Sequence, residues 1–435
     1  MFTLIRNGYI VDPATDVEGL YDILIRDDKI VRVEQKLDYD SILAEAEKEN
    51  EEVTLIDAKD KYIMPGFIDL HVHLREPGYE YKETIASGSK AAAAGGFTTI
   101  CAMPNTKPAM DNKERLEWFQ QRVRETAVVN VLPVAAITLS QDGNELVDIL
   151  EVKEAGAVAL SEDGKSVMDT SLYAKAMKEA AKNNLPIFAH CEEKSLVGSG
   201  VINAGHKAEE LQLPGISNAV EDIITARDIL LAKEADARLH ICHCSTKDSV
   251  AMIGLAKKEG LKVTGEVCPH HFILTDADIL SDDADYKMNP PLRKVEDVEA
   301  IREALKKDMI DVIATDHAPH SKEEKMKSFR EAPFGIVGLE TAFALTVSEL
   351  VKKGYLTLRQ LVEKMSTNPA KILEMDRGTL RVGAVADLVI TDIEAEYIID
   401  KNEFYSLGKN TPFHGRKVTG RIEYTLVAGK IVYQR

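Results

Sequence analysis

The segment Asp69-Leu70-His71-Val72-His73-Leu74 places two imidazoles two residues apart at the end of an apolar run. On a strand, residues i and i+2 share a face, so His71 and His73 project together and form half of a tetrahedral metal site. Other ligand-type residues stand where later apolar runs stop: Asp163, His190, His243 and Asp316. Four imidazoles and two carboxylates meeting at one rim suit Zn²⁺ in hardness and geometry, and Mn²⁺ or Co²⁺ could substitute. The chemistry such a group performs is hydrolysis by activated water, without a protein nucleophile.

These residues need elements that bring distant segments to one rim. From about residue 66 the chain alternates strand-length apolar runs with stretches of helical periodicity. The runs are Phe67 to Leu74, Phe97 to Met103, Val129 to Ile137, Ala157 to Leu160, Pro186 to Ala189, Arg238 to Cys242, Lys262 to Val267 and Asp311 to Ala314. Between them Tyr81 to Ala94, Ser171 to Asn183, Ile223 to Glu234 and Val295 to Lys306 read as helices. Eight βα units predict a (β/α)₈ TIM-type barrel, whose active sites lie at the C-terminal ends of the strands.

Residues 1–65 and 376–435 are β-rich, with runs at Thr3 to Val11, Tyr21 to Val33, Asp387 to Thr391 and Arg421 to Val432. The economical topology pairs both termini in a small β-sandwich beside a barrel spanning 66–375. Leu37 to Glu52, rich in Glu, Asp and Ala, is expected to be a surface excursion, with a short helix as the alternative.

Composition bounds the partners. A net charge of −18 repels nucleic acid and anionic membranes, so an anionic ligand must be held by local positive charge. Five scattered cysteines are no disulfide framework, and the N-terminal segment lacks the pattern of a secretory signal, so the expected compartment is the cytoplasm.

Several segments together resemble the amidohydrolase superfamily and, within it, the type I bacterial dihydroorotases. They are Pro65 to Gly78, Met103-Pro104-Asn105-Thr106, His190-Cys191-Glu192, His240 to Thr246, Met288 to Arg293 and Ala314 to His320. The resemblance implies two zinc ions, one held by His71, His73 and Asp316, the other by His190 and His243, with Asp163 bridging. Lys165, as a carbamate, and Glu162 are the alternative bridges. It implies Asp316 as general acid and base, and substrate contacts at His73, Arg75, Asn105, Asn289, His320, Phe334 and Gly335. Arg75, two residues past His73, offers a bidentate guanidinium for a carboxylate, unless it pairs with Glu76 or Glu83. The implied substrate pair is N-carbamoyl-L-aspartate and dihydroorotate, and the implied assembly a homodimer, with contact to aspartate transcarbamoylase.

Rival readings are another cyclic amide hydrolase, such as a dihydropyrimidinase, hydantoinase or allantoinase, and a non-catalytic barrel that serves a partner enzyme. A carboxylate-binding Arg75 with Asn105 argues against the first, and a complete ligand set against the second. The charged run Ser321 to Lys327 is a solvated face or part of a lid. By strand parity His240 should face the helices, with Cys242 and Cys244 on its side. His240 and His271, the latter beside His270, read as hydrogen-bonded structural residues, Cys191 as packing, and His206 and His414 have no ligand context.

Overall fold

The computed structural model describes residues 1–435. The chain opens with β1 (Phe2–Asp12), β2 (Val17–Arg26), β3 (Lys29–Glu34), β4 (Val53–Asp57) and β5 (Tyr62–Pro65). The run from Tyr21 to Val33 is broken into β2 and β3 by the Asp27-Asp28 turn, which forms an antiparallel hairpin.

The barrel follows: β6 (Phe67–Val72), β7 (Phe97–Ala102), β8 (Asn130–Ala136), β9 (Ala159–Ser161) and β10 (Ile187–Ala189). An excursion carries the short pair β11 (Ile202–Asn203) and β12 (Gly215–Ile216), after which β13 (Leu239–Ile241), β14 (Val263–Val267) and β15 (Val312–Ile313) complete the set. All eight barrel strands pair in parallel in chain order. Past β15 the chain reaches back to β6: Val72 pairs with His317, and the His73 N–H donates to the His317 carbonyl at 2.8 Å.

The strands read as apolar runs because both faces are covered. Ile68, Leu70, Cys101, Val134, Phe188 and Val312 pack inside the barrel, and a larger core fills the layer between barrel and helices. The helix Thr170–Lys182 buries Tyr173, Ala176, Met177 and Ala180, the i, i+3, i+4, i+7 stripe of an amphipathic helix. Its start is fixed by Asp169, whose carboxylate accepts from the Ser171 and Leu172 N–H groups.

The C-terminal strands β16 (Leu388–Ile398), β17 (Lys417–Val427) and β18 (Lys430–Gln434) join the N-terminal ones in one sheet, ordered β18-β17-β16-β5-β1-β2-β3 with β4 also beside β1. The two ends of the chain meet where β16 runs antiparallel to β5, Val389 opposite Met64. A bridge between Lys29 and Val385 turns the sheet back on itself, enclosing Ile5, Ile23, Ile63, Leu388 and Leu426. The fold is thus a (β/α)₈ barrel with a β-sandwich built from both termini.

The excursion expected at Leu37 to Glu52 is instead largely a helix, Tyr39–Glu49. Its Ile42 and Ala46, four residues apart, pack with Phe2, Leu4, Leu24 and Leu37. One buried stripe of two small apolar side chains suffices to anchor an otherwise charged helix. No helix is long and apolar enough to cross a membrane.

Candidate active site

His71 lies on β6, where the register with β7 shifts between Asp69 and Val72. His73, Asp163, His190, His243 and Asp316 lie just past the ends of β6, β9, β10, β13 and β15. His243 (φ 33) and Asp316 (φ 48) adopt positive φ, which non-glycine residues rarely do and which marks a functional turn.

The six side chains converge on Asp163. Its Oδ1 lies 3.2 Å from His71 Nε2, 3.4 Å from His190 Nδ1 and 3.6 Å from His243 Nε2, and its Oδ2 3.5 Å from His73 Nε2. Asp316 Oδ1 stands 3.1 Å from His73 Nε2 and 3.6 Å from His71 Nε2. Two groups with metal-ligand spacing result, His71–His73–Asp163 and Asp163–His190–His243, sharing Asp163.

The donor set fits a cation. His71 Nε2, Asp163 Oδ1, His190 Nε2 and His243 Nδ1 are buried without a hydrogen-bond partner. Leaving such an atom unsatisfied costs about 1–3 kcal/mol. His71 Nε2 and Asp163 Oδ1 face each other at 3.2 Å, where a cation would accept both lone pairs, while the inward nitrogens of His190 and His243 lie 2.9 Å apart beside the same carboxylate oxygen. Burial opposes ionisation of Asp163 and Asp316, yet the imidazoles beside them hold both carboxyls well below the usual range. Burial likewise opposes a charged His190, but Asp163 and Glu192 raise it to about 10.

Further residues orient this cluster. Glu266, wholly buried, places Oε1 2.9 Å from His71 Nδ1 and 3.3 Å from the His243 N–H, and Oε2 3.0 Å from His240 Nε2. Asn105 bridges His73 Nδ1 at 2.9 Å and Asp163 Oδ2 at 3.1 Å. Glu266 escaped the sequence reading, although a lone acid inside the apolar run Lys262 to Val267 was its signal. His240 does not face the helices: it points into the barrel, against Phe188 and Glu266. Parity failed because β13 ends at Ile241, and His243 enters the mouth through its positive φ and not by alternation. Cys242 lies inside and Cys244 outside.

A cavity of about 190 Å³ above the cluster is walled by Arg75, Asn105, Asn289, His320, Phe334 and Gly335. Arg75 donates Nε to the Pro319 carbonyl at 3.2 Å and forms no ion pair. Its two sequence-proximal acids are engaged elsewhere, Glu76 with Arg122 at 2.8 Å and Glu83 near His317 at 3.4 Å. Asn289 donates to Glu192. His320 Nε2 donates to the Phe334 carbonyl at 2.7 Å and its Nδ1 accepts from Lys82 at 3.2 Å. Gly335 has φ 133, and a Cβ there would meet Ala318 Cβ at 2.7 Å. Its N–H is donated to the Lys287 carbonyl.

The alternative bridges are turned away. Lys165 Nζ donates to the Gln141 carbonyl at 2.7 Å, and Glu162 accepts from the Ile137 and Thr138 N–H groups. Within the run Ser321 to Lys327, Lys325 is tied down by the carbonyls of Lys287, Pro333 and Gly335. His271 bonds the Pro290 carbonyl, whereas His270 Nε2 finds no partner.

A parallel eight-stranded barrel with an imidazole–carboxylate cluster at its C-terminal mouth defines a hydrolase of the amidohydrolase class. Residues 60–249 match the family model described as dihydro-orotase-like, and residues 255–433 the amidohydrolase family. A protein of Bacillus cytotoxicus named dihydroorotase is 49% identical over 433 residues, 99% of this chain and 98% of its own. One of Anoxybacillus flavithermus, of the same name, is 50% identical over 95% of this chain and 94% of its own. The chain belongs to the dihydroorotase family. Among solved structures, an L-hydantoinase from Arthrobacter aurescens superposes with a TM-score of 0.86 at 28% identity, covering 100% of this chain and 96% of its own. A dihydropyrimidinase from Brevibacillus agri gives 0.85 at 27%, covering 100% and 95%.

Proposed function

We propose that this protein is a dihydroorotase that interconverts N-carbamoyl-L-aspartate and (S)-dihydroorotate in the synthesis of UMP. The observation that carries the reading is Arg75, a guanidinium with no carboxylate partner in the wall of the cavity above the Asp163-centred cluster. A substrate carboxylate supplies that partner.

The residues that would hold metal are His71, His73 and Asp316 at one position and His190 and His243 at the other, with Asp163 between them. Zinc, two ions per chain, suits this donor set. When bound it supplies an activated water at neutral pH and polarises the amide carbonyl.

The protein's own groups do the rest. Arg75 binds the α-carboxylate that survives in both substrate and product, and so fixes the ring over the cluster. Asn105 holds His73 and Asp163 in register and, with Asn289 and His320, borders the ring edge. Asp316, 7% exposed at the cavity floor, takes a proton from the attacking side and delivers it to the leaving ring nitrogen. In the closing direction it accepts the proton of the carbamoyl nitrogen, and water leaves. Closure turns a dianion into a monoanion and consumes one proton, so equilibrium shifts toward dihydroorotate as pH falls.

The segments 1–65 and 376–435 are read as one unit and 66–375 as the catalytic one. Five buried, unpaired cysteines support a cytoplasmic setting. A homodimer and contact with aspartate transcarbamoylase complete the proposal. The structural likeness to hydantoinases gives the competing reading a specific basis. Rates on dihydroorotate, dihydrouracil and hydantoin, measured side by side, separate the two: turnover confined to dihydroorotate is expected, and robust dihydrouracil turnover without dihydroorotate turnover would refute the assignment.

A further inference from the structure

A second group of ligand-type side chains is buried at the same end of the barrel, where β14 gives way to the helical turn Pro269–Ile273. Cys268, His270 and His271 are each at most 2% exposed. Their ligand atoms lie within 4.8 Å of one another, and none of the three belongs to the Asp163-centred cluster.

The hydrogen bonding of His271 fixes its tautomer. Nε2 lies 2.9 Å from the Pro290 carbonyl, which only accepts, so Nε2 carries the proton and Nδ1 presents a bare lone pair. That Nδ1 is buried without a partner, and so is His270 Nε2. One ring N–H given to a backbone carbonyl, with the other nitrogen left open, is the arrangement metal-bound histidines adopt.

We propose that Cys268, His270 and His271 form a further zinc site that ties the end of β14 to the loop carrying Asn289 and Pro290. One thiolate and two imidazoles match the softness of zinc, with the fourth position left to water. Binding displaces the Cys268 thiol proton to solvent. The link to the loop is the His271–Pro290 bond, one residue from Asn289 in the cavity wall.

Cobalt distinguishes this site from its neighbour, because a thiolate ligand gives a near-ultraviolet charge-transfer band and nitrogen or oxygen ligands do not. The full-length protein is stripped of metal, reloaded with Co²⁺ and its absorption recorded. Cys242 groups with His71 and Glu266, so it needs its own control. The band is expected in the wild type, retained in Cys242→Ser and lost in Cys268→Ser. No band in the wild type, or a band lost in Cys242→Ser and kept in Cys268→Ser, overturns the proposal. X-ray absorption of the zinc-loaded Cys242→Ser protein leaves Cys268 intact. A sulfur neighbour at about 2.3 Å is expected, and a shell of nitrogen and oxygen alone overturns the proposal.

Discussion

His71 Nδ1 lies 2.9 Å from Glu266 Oε1, a contact made across 195 residues of sequence at the closed centre of the barrel. The carboxylate fixes the Nδ1–H tautomer of His71 and so turns Nε2 toward Asp163. The same oxygen receives the His243 N–H at 3.3 Å, so one buried acid orients a residue from each of the two metal-type groups. Removing its charge should therefore weaken both.

Glu266→Gln keeps the shape and loses the charge. Zinc affinity, read by competition with a chromogenic chelator, is expected to fall about 10- to 100-fold, the usual effect of altering such a supporting carboxylate. Unchanged affinity would show that His71 is oriented by its packing alone.

Asp316→Asn removes the proton acceptor and leaves the side chain's volume. Turnover is expected to drop by at least about a hundredfold, with an unaltered circular dichroism spectrum. Rates like those of the wild type in a folded variant would take the proton transfer away from this residue.

For Arg75→Ala the KM for dihydroorotate should rise about 10- to 100-fold, more than kcat falls, since a charged hydrogen bond is worth about 1.5–3 kcal/mol. A KM that does not move would place the carboxylate elsewhere in the cavity.

Glu340 gives the stability a pH dependence. Burial raises its carboxyl from 4.5 to about 7, although the Ser406 and Tyr405 N–H groups donate to it. Between those values the folded chain binds a proton that the unfolded chain has released, so this group's contribution to stability is lost as pH rises through 7. Melting temperatures of wild type and Glu340→Gln at pH about 5 and about 8 test it. The variant should gain relative to wild type at the higher pH, and an equal difference at both would contradict the assignment.

How much of this was legible in the sequence follows from what alternation and periodicity encode. Parallel strands covered on both faces must be apolar, so the eight runs stood out. Barrel strands end at one rim, so ligand-type residues at run ends pointed to a common mouth. The pattern is silent once a strand ends. His243 turns inward through its backbone and not its parity, which is why His240 was assigned to the wrong face. Partnerships such as Glu266 with His71 depend on closure of the whole barrel, and no local pattern carries them. The helix Tyr39–Glu49 was hidden because only Ile42 and Ala46 anchor it amid charge.

The measurement that bears most directly on the account follows zinc content and dihydroorotate turnover in one preparation, before chelation, after it, and after zinc is returned. Both should fall together and recover together. Full turnover in protein freed of metal would contradict a metal centre gathered around Asp163.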